Sequence, residues 1–400
     1  MSKVIRQRTA ILNSKQSAAM AANNYDEEGM LHMQKSKVYF TDMRCSIGAS
    51  LLNKLDKLIC QAGISEIDFS NRYAAIKIHF GEPGNLSFLR PNFAKTVADR
   101  IKALGGNPFL TDCCTLYVGR RNNALFRLDA AMENGFSPLS TGCQIIIADG
   151  LKGTDDVEVP IIGGQYLETA MIGRAVMDAD IVISLNHFKG HECTGFGGAL
   201  KNLGMGCGSR AGKMVMHNDG KPLVNQQTCV GCRFCARFCA HSAIEFSNNK
   251  ASINNQKCVG CGRCIGSCNY NAIDNEFSSN SKMLSCKIAE YTKAVIHGRP
   301  HFHISIVNQV SPYCDCHEEN DAAIVPDIGM FASFDPVALD KACIDAVNAA
   351  PALEGTASDG VGYKNDHFTR IHPGTDWQQQ LRHAEKLGLG SIDYELITVK

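Results

Sequence analysis

The sequence predicts an α/β domain with a mainly parallel sheet, interrupted by a small, cysteine-rich α+β insert. Three observations lead there. Short apolar runs alternate with helical periods on both sides of the chain's middle. The middle holds two four-cysteine runs, and polar residues gather just past the ends of the apolar runs.

Residues 73–80 (Tyr-Ala-Ala-Ile-Lys-Ile-His-Phe) read as the first strand. Residues 93–104 then place Phe93, Val97, Ile101 and Leu104 on one helical face. Further strands are expected at 107–111, 144–148 and 180–186, with a helix over 165–178. Beyond the cysteine runs, 302–307 alternates Phe302, Ile304 and Ile306, and 322–325 is another short apolar run. Strands alternating with helices argue for a parallel sheet covered by helices. The host would comprise 37–221 and 278–400, the insert 222–277, and 275–282 a polar linker. Residues 1–36 are polar without a period and are expected to form a mobile extension. Patterned sequence begins at Lys37, so Met33 would be a more natural start.

Residues 229–239 and 258–268 both have the spacing C-x2-C-x2-C-x3-C. This is the bacterial ferredoxin pattern for two [4Fe-4S] clusters, in which the fourth Cys of each run ligates the other cluster. One cluster would take Cys229, Cys232, Cys235 and Cys268; the other would take Cys258, Cys261, Cys264 and Cys239. Zinc sites use Cys pairs with longer gaps between them. The pattern usually has Pro after the fourth Cys, whereas Ala240 and Asn269 stand there, which removes no ligand.

With 400 residues there is length for two or three domains. A formal net charge of zero favours neither nucleic acid nor an anionic membrane. No apolar stretch approaches the ~20 residues of a membrane helix, and no charged-apolar-small leader pattern opens the chain. Nineteen Cys without a leader fit a reducing cytoplasm better than a disulfide framework. Oxygen-sensitive clusters suggest an anaerobic or microaerobic host.

Past the strand ends lie His79, Glu82 and Asn85, then Thr111 and Asp112, then Asp149, then Asn186 and His187. Open parallel sheets bind ligands outside the carboxyl ends of their strands. Segment 186–213 is dense in Gly, including Gly195, Gly197 and Gly198, and interleaves His187, His191, Lys201, Arg210 and Lys213. Backbone amides exposed by Gly, a following helix start and these cations suit a phosphate-bearing cofactor or a carboxylate substrate. His187 and His191 are candidates for metal ligation or acid–base work. Tyr313-Cys314-Asp315-Cys316-His317 offers soft ligands, to be completed by His187, His191, Cys193 or Cys207 if the loops meet. The alternatives are redox-active thiols beside a cluster or flavin, or plain loop thiols.

Three stretches carry a resemblance. They are 76–121 (Ile-Lys-Ile-His-Phe-Gly-Glu-Pro-Gly-Asn … Leu-Tyr-Val-Gly-Arg-Arg), 187–206 (His-Phe-Lys-Gly-His-Glu … Lys-Asn-Leu-Gly-Met-Gly) and Asp335-Pro-Val-Ala-Leu-Asp340. They resemble the domain-of-unknown-function family 362, over about 37–390. Many members carry a ferredoxin insert, and the family name implies no activity. A shorter likeness links His187, His191, Gly195, Phe196, Gly198 and Lys201 to the lactate racemase family, where a lysine and histidines hold a nickel-pincer nucleotide. By that resemblance only Lys201 and one of the two histidines carry over, and the spacing before the lysine differs by a residue.

The reading is an iron–sulfur oxidoreductase. Two clusters would exchange single electrons with a site at the strand ends, where His79, Asp112, His187, His191, Lys201 and Cys314 gather. His187 or His191 would handle protons, and Lys201 would hold an anion. A one-electron wire usually needs a converter, so flavin or a further metal would be a second cofactor. The expected partners are a redox protein, such as a ferredoxin or reductase, and a small anionic substrate; the sequence leaves a homo-oligomer open. A dedicated electron carrier, or a non-redox isomerase or lyase with structural clusters, are the alternatives.

Overall fold

The computed structural model describes residues 35–116, 119–218, 222–239, 241–258, 263–270, 272–275, 281–360 and 365–400. The extension expected at 1–36 and the linker at 275–282 fall largely outside these residues, and Cys261 lies outside them.

In chain order the strands are β1 (Ser36–Asp42), β2 (Tyr73–Lys77), β3 (Asn107–Asp112), β4 (Gln144–Ile147), β5 (Asp156–Pro160), β6 (Thr169–Gly173), β7 (Ile181–His187) and β8 (Lys189–His191). They continue with β9 (Gly195–Gly197), β10 (Pro222–Val224), β11 (Ile244–Ser247), β12 (Lys250–Ile253), β13 (Ile273–Asn275), β14 (His301–Val307), β15 (Gly329–Ser333) and β16 (Tyr394–Thr398). Eight of them form one sheet in the order β16-β1-β15-β14-β7-β2-β3-β4. The run β14-β7-β2-β3-β4 is parallel, whereas β15 pairs antiparallel with both β14 and β1. The α/β class with a mainly parallel sheet is therefore present.

Helices cover both faces, which is why β7 is buried at every position. On one face Leu55, Leu58 and Ile59 of helix Leu51–Gln61 join Phe93, Val97 and Ile101 of helix Pro91–Ala103 over Ile76, Leu110 and Ile183. On the other, helices Ala199–Cys207, Ser281–Ile296, Pro336–Ala349 and Trp377–Lys386 share a core with Val182, Val307 and Phe331.

Two expected elements are replaced. The helix at 165–178 is a strand, β6, followed by a short helix, Arg174–Asp178. Ala170 and Ile172 point inward with a period of two, and β6 pairs with β5 in a hairpin. The apolar run at 322–325 is a loop in which Ile324 and Val325 are buried and Ala322 is exposed. Its Ile324 amide donates to Val310 O, and its carbonyl accepts from Leu353 N and Ser358 Oγ. Apolar residues are buried in either case, and only the backbone partners tell a strand from a covered loop.

Candidate functional site

The register of the parallel strands sets Lys77 beside Thr111 and Ser184, Asp112 beside Ile147, and His187 beside Ile306. Polar ends of neighbouring strands thus converge on one edge of the sheet, as the strand-end rule requires. Asn202, on helix Ala199–Cys207, closes that edge. Its amide donates to Lys77 O, Leu185 O and Asn186 Oδ1, and its oxygen accepts from Lys77 Nζ at 2.6 Å.

The same edge seats the loop Ser311–His317. His187 Nδ1 lies 2.9 Å from Asp315 Oδ2, and its Nε2 lies 2.8 Å from Asn308 O, so both ring nitrogens face acceptors. Lys189 Nζ is 3.1 Å from the same Asp315 oxygen. Burial pushes the Asp315 carboxyl up, but His187 and Lys189 outweigh it and hold it well below the usual carboxylate range. Arg121 donates to Cys316 O at 2.9 Å and also engages His79 Nε2 and Glu82. Burial and the Arg121 charge hold His79 well below its ordinary value, so the ring is neutral. Further ties come from Glu82 N to Asp315 O, Asn85 Nδ2 to His317 O and His372 Nε2 to Pro312 O. Gly190 passes so close that a Cβ there would stand 2.1 Å from Pro312 O. His79, expected among the site residues, and His187, expected as an acid–base group or metal ligand, sit here as anchors of this loop.

On that seat the sulfurs converge. His191, Cys314 and Cys316 present ligand atoms within 4.8 Å of one another. Lys201 Nζ donates to Cys314 Sγ at 3.1 Å. A hydrogen bond from the Cys316 thiol, the Lys201 charge and His191 hold Cys314 well below the ordinary thiol value despite its burial. Cys316 is pushed up in turn, by that bond first and then by burial. Lys201 is raised because the two sulfurs outweigh its burial. Glu192 and His317 form a further pair at 3.0 Å within reach of Cys316. Two thiols and an imidazole match the donors of an open zinc-type site. Two contacts weigh against an ion there. Lys201 already occupies the Cys314 sulfur, and His191 Nδ1 accepts from the amides of Cys193 and Thr194, which leaves its proton on Nε2.

The Gly-rich segment is the hairpin β8–β9 followed by helix Ala199–Cys207. Stacking of Phe188 on Phe196, with Phe368 and Trp377 edge-on or tilted against them, fixes the hairpin. Gly197 lies between Lys189 and Lys201, while Gly195 packs against Trp377 and Thr375. The expectation of an anion at the helix start meets a protein group instead. Asp340 accepts from the amides of Ala199 and Leu200 at 2.7 and 3.0 Å. A Cβ on Gly198 would stand 2.2 Å from that carboxylate, so Gly is needed to let Asp340 in. Burial pushes the Asp340 carboxyl up to about 7 against those two amides.

Asp112 belongs to a separate charged cluster. It pairs with Lys77 at 3.0 Å and with Arg127. Burial raises its carboxyl, but Arg127 and Lys77 outweigh this and hold it low, so it stands as a paired carboxylate. Arg210 and Lys213, expected to hold a cofactor, are buried here: Arg210 donates to Asn122 O and Lys213 to Gly208 O. Among the described residues, Arg127 Nε and Nη1 find no acceptor.

The cysteine-rich segment repeats itself in structure. Cys229 N bonds Asn225 O and Cys258 N bonds Asn254 O, and each Asn side chain accepts from the amide two residues on. Ala243 N donates to Cys239 Sγ and Ala272 N to Cys268 Sγ, both at 3.3 Å. Cys229, Cys232, Cys235 and Cys268 line one open cleft. Met214 and Leu116 pack with Cys229 and Cys235 in one small core, and Lys152 lies over the Phe234 and Phe238 rings. Met214 sits on helix Arg210–Asn218. One turn on, the helix carries His217, whose value is lowered to about 3 by burial and by the charges of His191 and Lys201. That helix thus links the cysteine cavity to the Cys314 site.

Lys77, Lys189, Glu192, Asn202, His217, Asp315 and Asp340 were not singled out from the sequence. Several lie inside the motifs already quoted, where a charged residue amid Gly and Cys was the available signal.

The model of the family DUF362, described as a domain of unknown function, matches residues 74–345, and the chain belongs to that family. No curated protein matches it. Among solved structures it is similar to the lactate racemase apoprotein from Thermoanaerobacterium thermosaccharolyticum, at 10% identity over 94% of this chain and 87% of that one, with a TM-score of 0.35. It is also similar to a protein from Thermotoga maritima at 14% identity and a TM-score of 0.33, over 73% of this chain. The chain spans 57% of that protein's length.

Proposed function

We propose that this member of the DUF362 family is an iron–sulfur oxidoreductase, whose clusters exchange single electrons with the site formed by Cys314, Cys316, His191 and Lys201. The observation that carries the reading is the shared cavity of Cys229, Cys232, Cys235 and Cys268, because a ferredoxin's fourth ligand comes from the other run. The backbone amides aimed at Cys229, Cys239 and Cys268 suit sulfurs that act as acceptors. Residues 222–277 would be the electron-transfer module, and Cys239, Cys258, Cys261 and Cys264 would hold the second cluster. Two clusters supply electrons singly. The Cys314–Cys316 pair would collect them: a disulfide takes up two electrons and two protons and becomes two thiols. Lys201 and His191 would stabilise the thiolate form of Cys314, and Lys189 and Lys201 would favour an anionic substrate beside it. A reduced ferredoxin or a reductase is the partner class this wire requires.

The test is anaerobic purification with metal and sulfide analysis and electron paramagnetic resonance after reduction. About eight iron and eight sulfide per chain are expected for two clusters. In Cys229→Ala, electron transfer into a Cys314–Cys316 disulfide should be lost. Protein without iron would overturn the cluster reading. A stoichiometric non-iron metal that Cys314→Ser removes would replace the dithiol by a metal centre.

A further inference from the structure

The tip of the β8–β9 hairpin faces the Cys316–His317 turn, and three kinds of donor meet between them. Glu192, Cys316 and His317 present a carboxylate oxygen, a sulfur and a ring nitrogen within 4.8 Å of one another. His317 Nε2 lies 3.0 Å from Glu192 Oε1. A tetrahedral ion with bonds of about 2 Å to oxygen and nitrogen holds those atoms roughly 3.3 Å apart, so this pair already has the span of two ligands. Contacts that leave the donors alone fix both sides. His191 Nδ1 accepts from the amides of Cys193 and Thr194, and Ser281 Oγ donates to Cys193 O, which sets the hairpin tip. Across from it, Arg121 donates to Cys316 O, Asn85 Nδ2 to His317 O, and His317 N to Cys314 O.

The side chains keep an open side, since that of Glu192 is 34% exposed and that of His317 41%. An ion can reach them from solvent, and no enclosed pocket is needed to admit it. A second observation points to a cation. Glu192 Oε2 is buried, and among the described residues it has no hydrogen-bond partner. A carboxylate oxygen withheld from both water and donors is costly, and a cation supplies what it lacks. Glu192 and a Cys316 thiolate bring two negative charges, which match a divalent ion. Carboxylate, thiolate and imidazole are all zinc donors, and three protein ligands leave a fourth position for water or an anion. Lys201 sits on Cys314, and His191 Nε2 stands 3.8 Å from Glu192 Oε1, beyond hydrogen-bond range. Neither contact occupies a donor of this set.

We propose that Glu192, Cys316 and His317 form a site for a divalent cation of the zinc class, separate from the iron–sulfur clusters. On binding, the Cys316 thiol gives its proton to solvent and the sulfur becomes a ligand. The ion therefore belongs to the reduced state of the Cys314–Cys316 pair, because a disulfide leaves Cys316 without a thiolate. That dependence alone rests on the dithiol reading. Uptake of the ion by reduced protein stands without it.

The experiment equilibrates anaerobically purified, reduced full-length protein with zinc chloride, desalts it, and counts zinc and iron. About one zinc per chain is expected, with the iron content unchanged. Glu192→Gln and His317→Ala should each weaken zinc binding at least about tenfold. Cys314→Ser, which can form no disulfide with Cys316, should keep the zinc, and this separates the ion site from the dithiol reading. Cobalt(II) in place of zinc should add a thiolate-to-metal absorption band to the difference spectrum, and Cys316→Ser should remove it. The proposal is overturned if reduced parent protein takes up no zinc, or takes it up only as iron is lost. It is equally overturned if Glu192→Gln and His317→Ala both keep full affinity, if Cys314→Ser abolishes binding, or if Cys316→Ser keeps the cobalt band.

Discussion

The Lys201 ammonium lies 3.1 Å from the Cys314 sulfur, across 113 positions of sequence. Helix Ala199–Cys207 supplies the lysine, and the seated loop after β14 supplies the thiol. Each sets the other's charge, so the pair is a unit that one substitution dissolves. Lys201→Met should leave Cys314 protonated over more of the pH range. Peptide-resolved alkylation at pH 7 should then slow at Cys314 by on the order of tenfold, while rates at remote thiols such as Cys343 stay the same.

Asp315 is the keystone of the loop, because His187 and Lys189 both point at it from buried positions. Removing one partner leaves two buried donors without their carboxylate. Asp315→Ala should cost about 3–5 kcal/mol in chemical unfolding. It should also release Cys314 and Cys316, seen as faster hydrogen exchange across 311–317.

The ligand crossover between the two cysteine runs is directly testable. Cys268→Ser should disturb the same paramagnetic signal as Cys229→Ser, since both line one cavity. Cys239→Ser should disturb the other. If Cys239→Ser instead disturbs the Cys229 signal and Cys268→Ser the other, each run holds its own cluster and the crossover is wrong.

Asp340 gives a pH signature. Its folded value of about 7 stands above the ordinary 3.8. The native state therefore holds a proton that the unfolded chain gives up between those values, and stability falls as pH rises from about 4 to about 7. Asp340→Asn should flatten the urea midpoint across that window. Gly198→Ala should destabilise at every pH, because its Cβ meets the Asp340 carboxylate.

Several strand-forming runs whose residues are buried on both faces were legible. The expected strands at 107–111, 180–186 and 302–307 match β3, β7 and β14 to within a residue or so. The strands β1, β15 and β16 were not read, since they join the sheet from distant parts of the chain. The misread helix at 165–178 follows from the ambiguity of short apolar runs, where a hairpin partner decides. At the site, His191, Lys201 and Cys314 were named in advance and do meet. Asp112 and His187 were named too, but the charges and acceptors packed round them turn them into structural pairs.

By itself the sequence determined the chemistry in stock: eight cysteines at cluster spacing, a glycine-dense hairpin bearing His and Lys, and a C-x-C loop. Spacing suffices there, because ligands two or three residues apart are brought together by the local chain. Only the tertiary structure decided which of these groups touch. The parallel register gathers strand ends at one edge, helix Ala199–Cys207 lays Lys201 and Asn202 over it, and Asp340 fills the helix start that an anion was expected to take. The Lys201–Cys314 and Asp340 contacts span more than a hundred positions, and buried charges settle them by finding partners in space rather than in sequence.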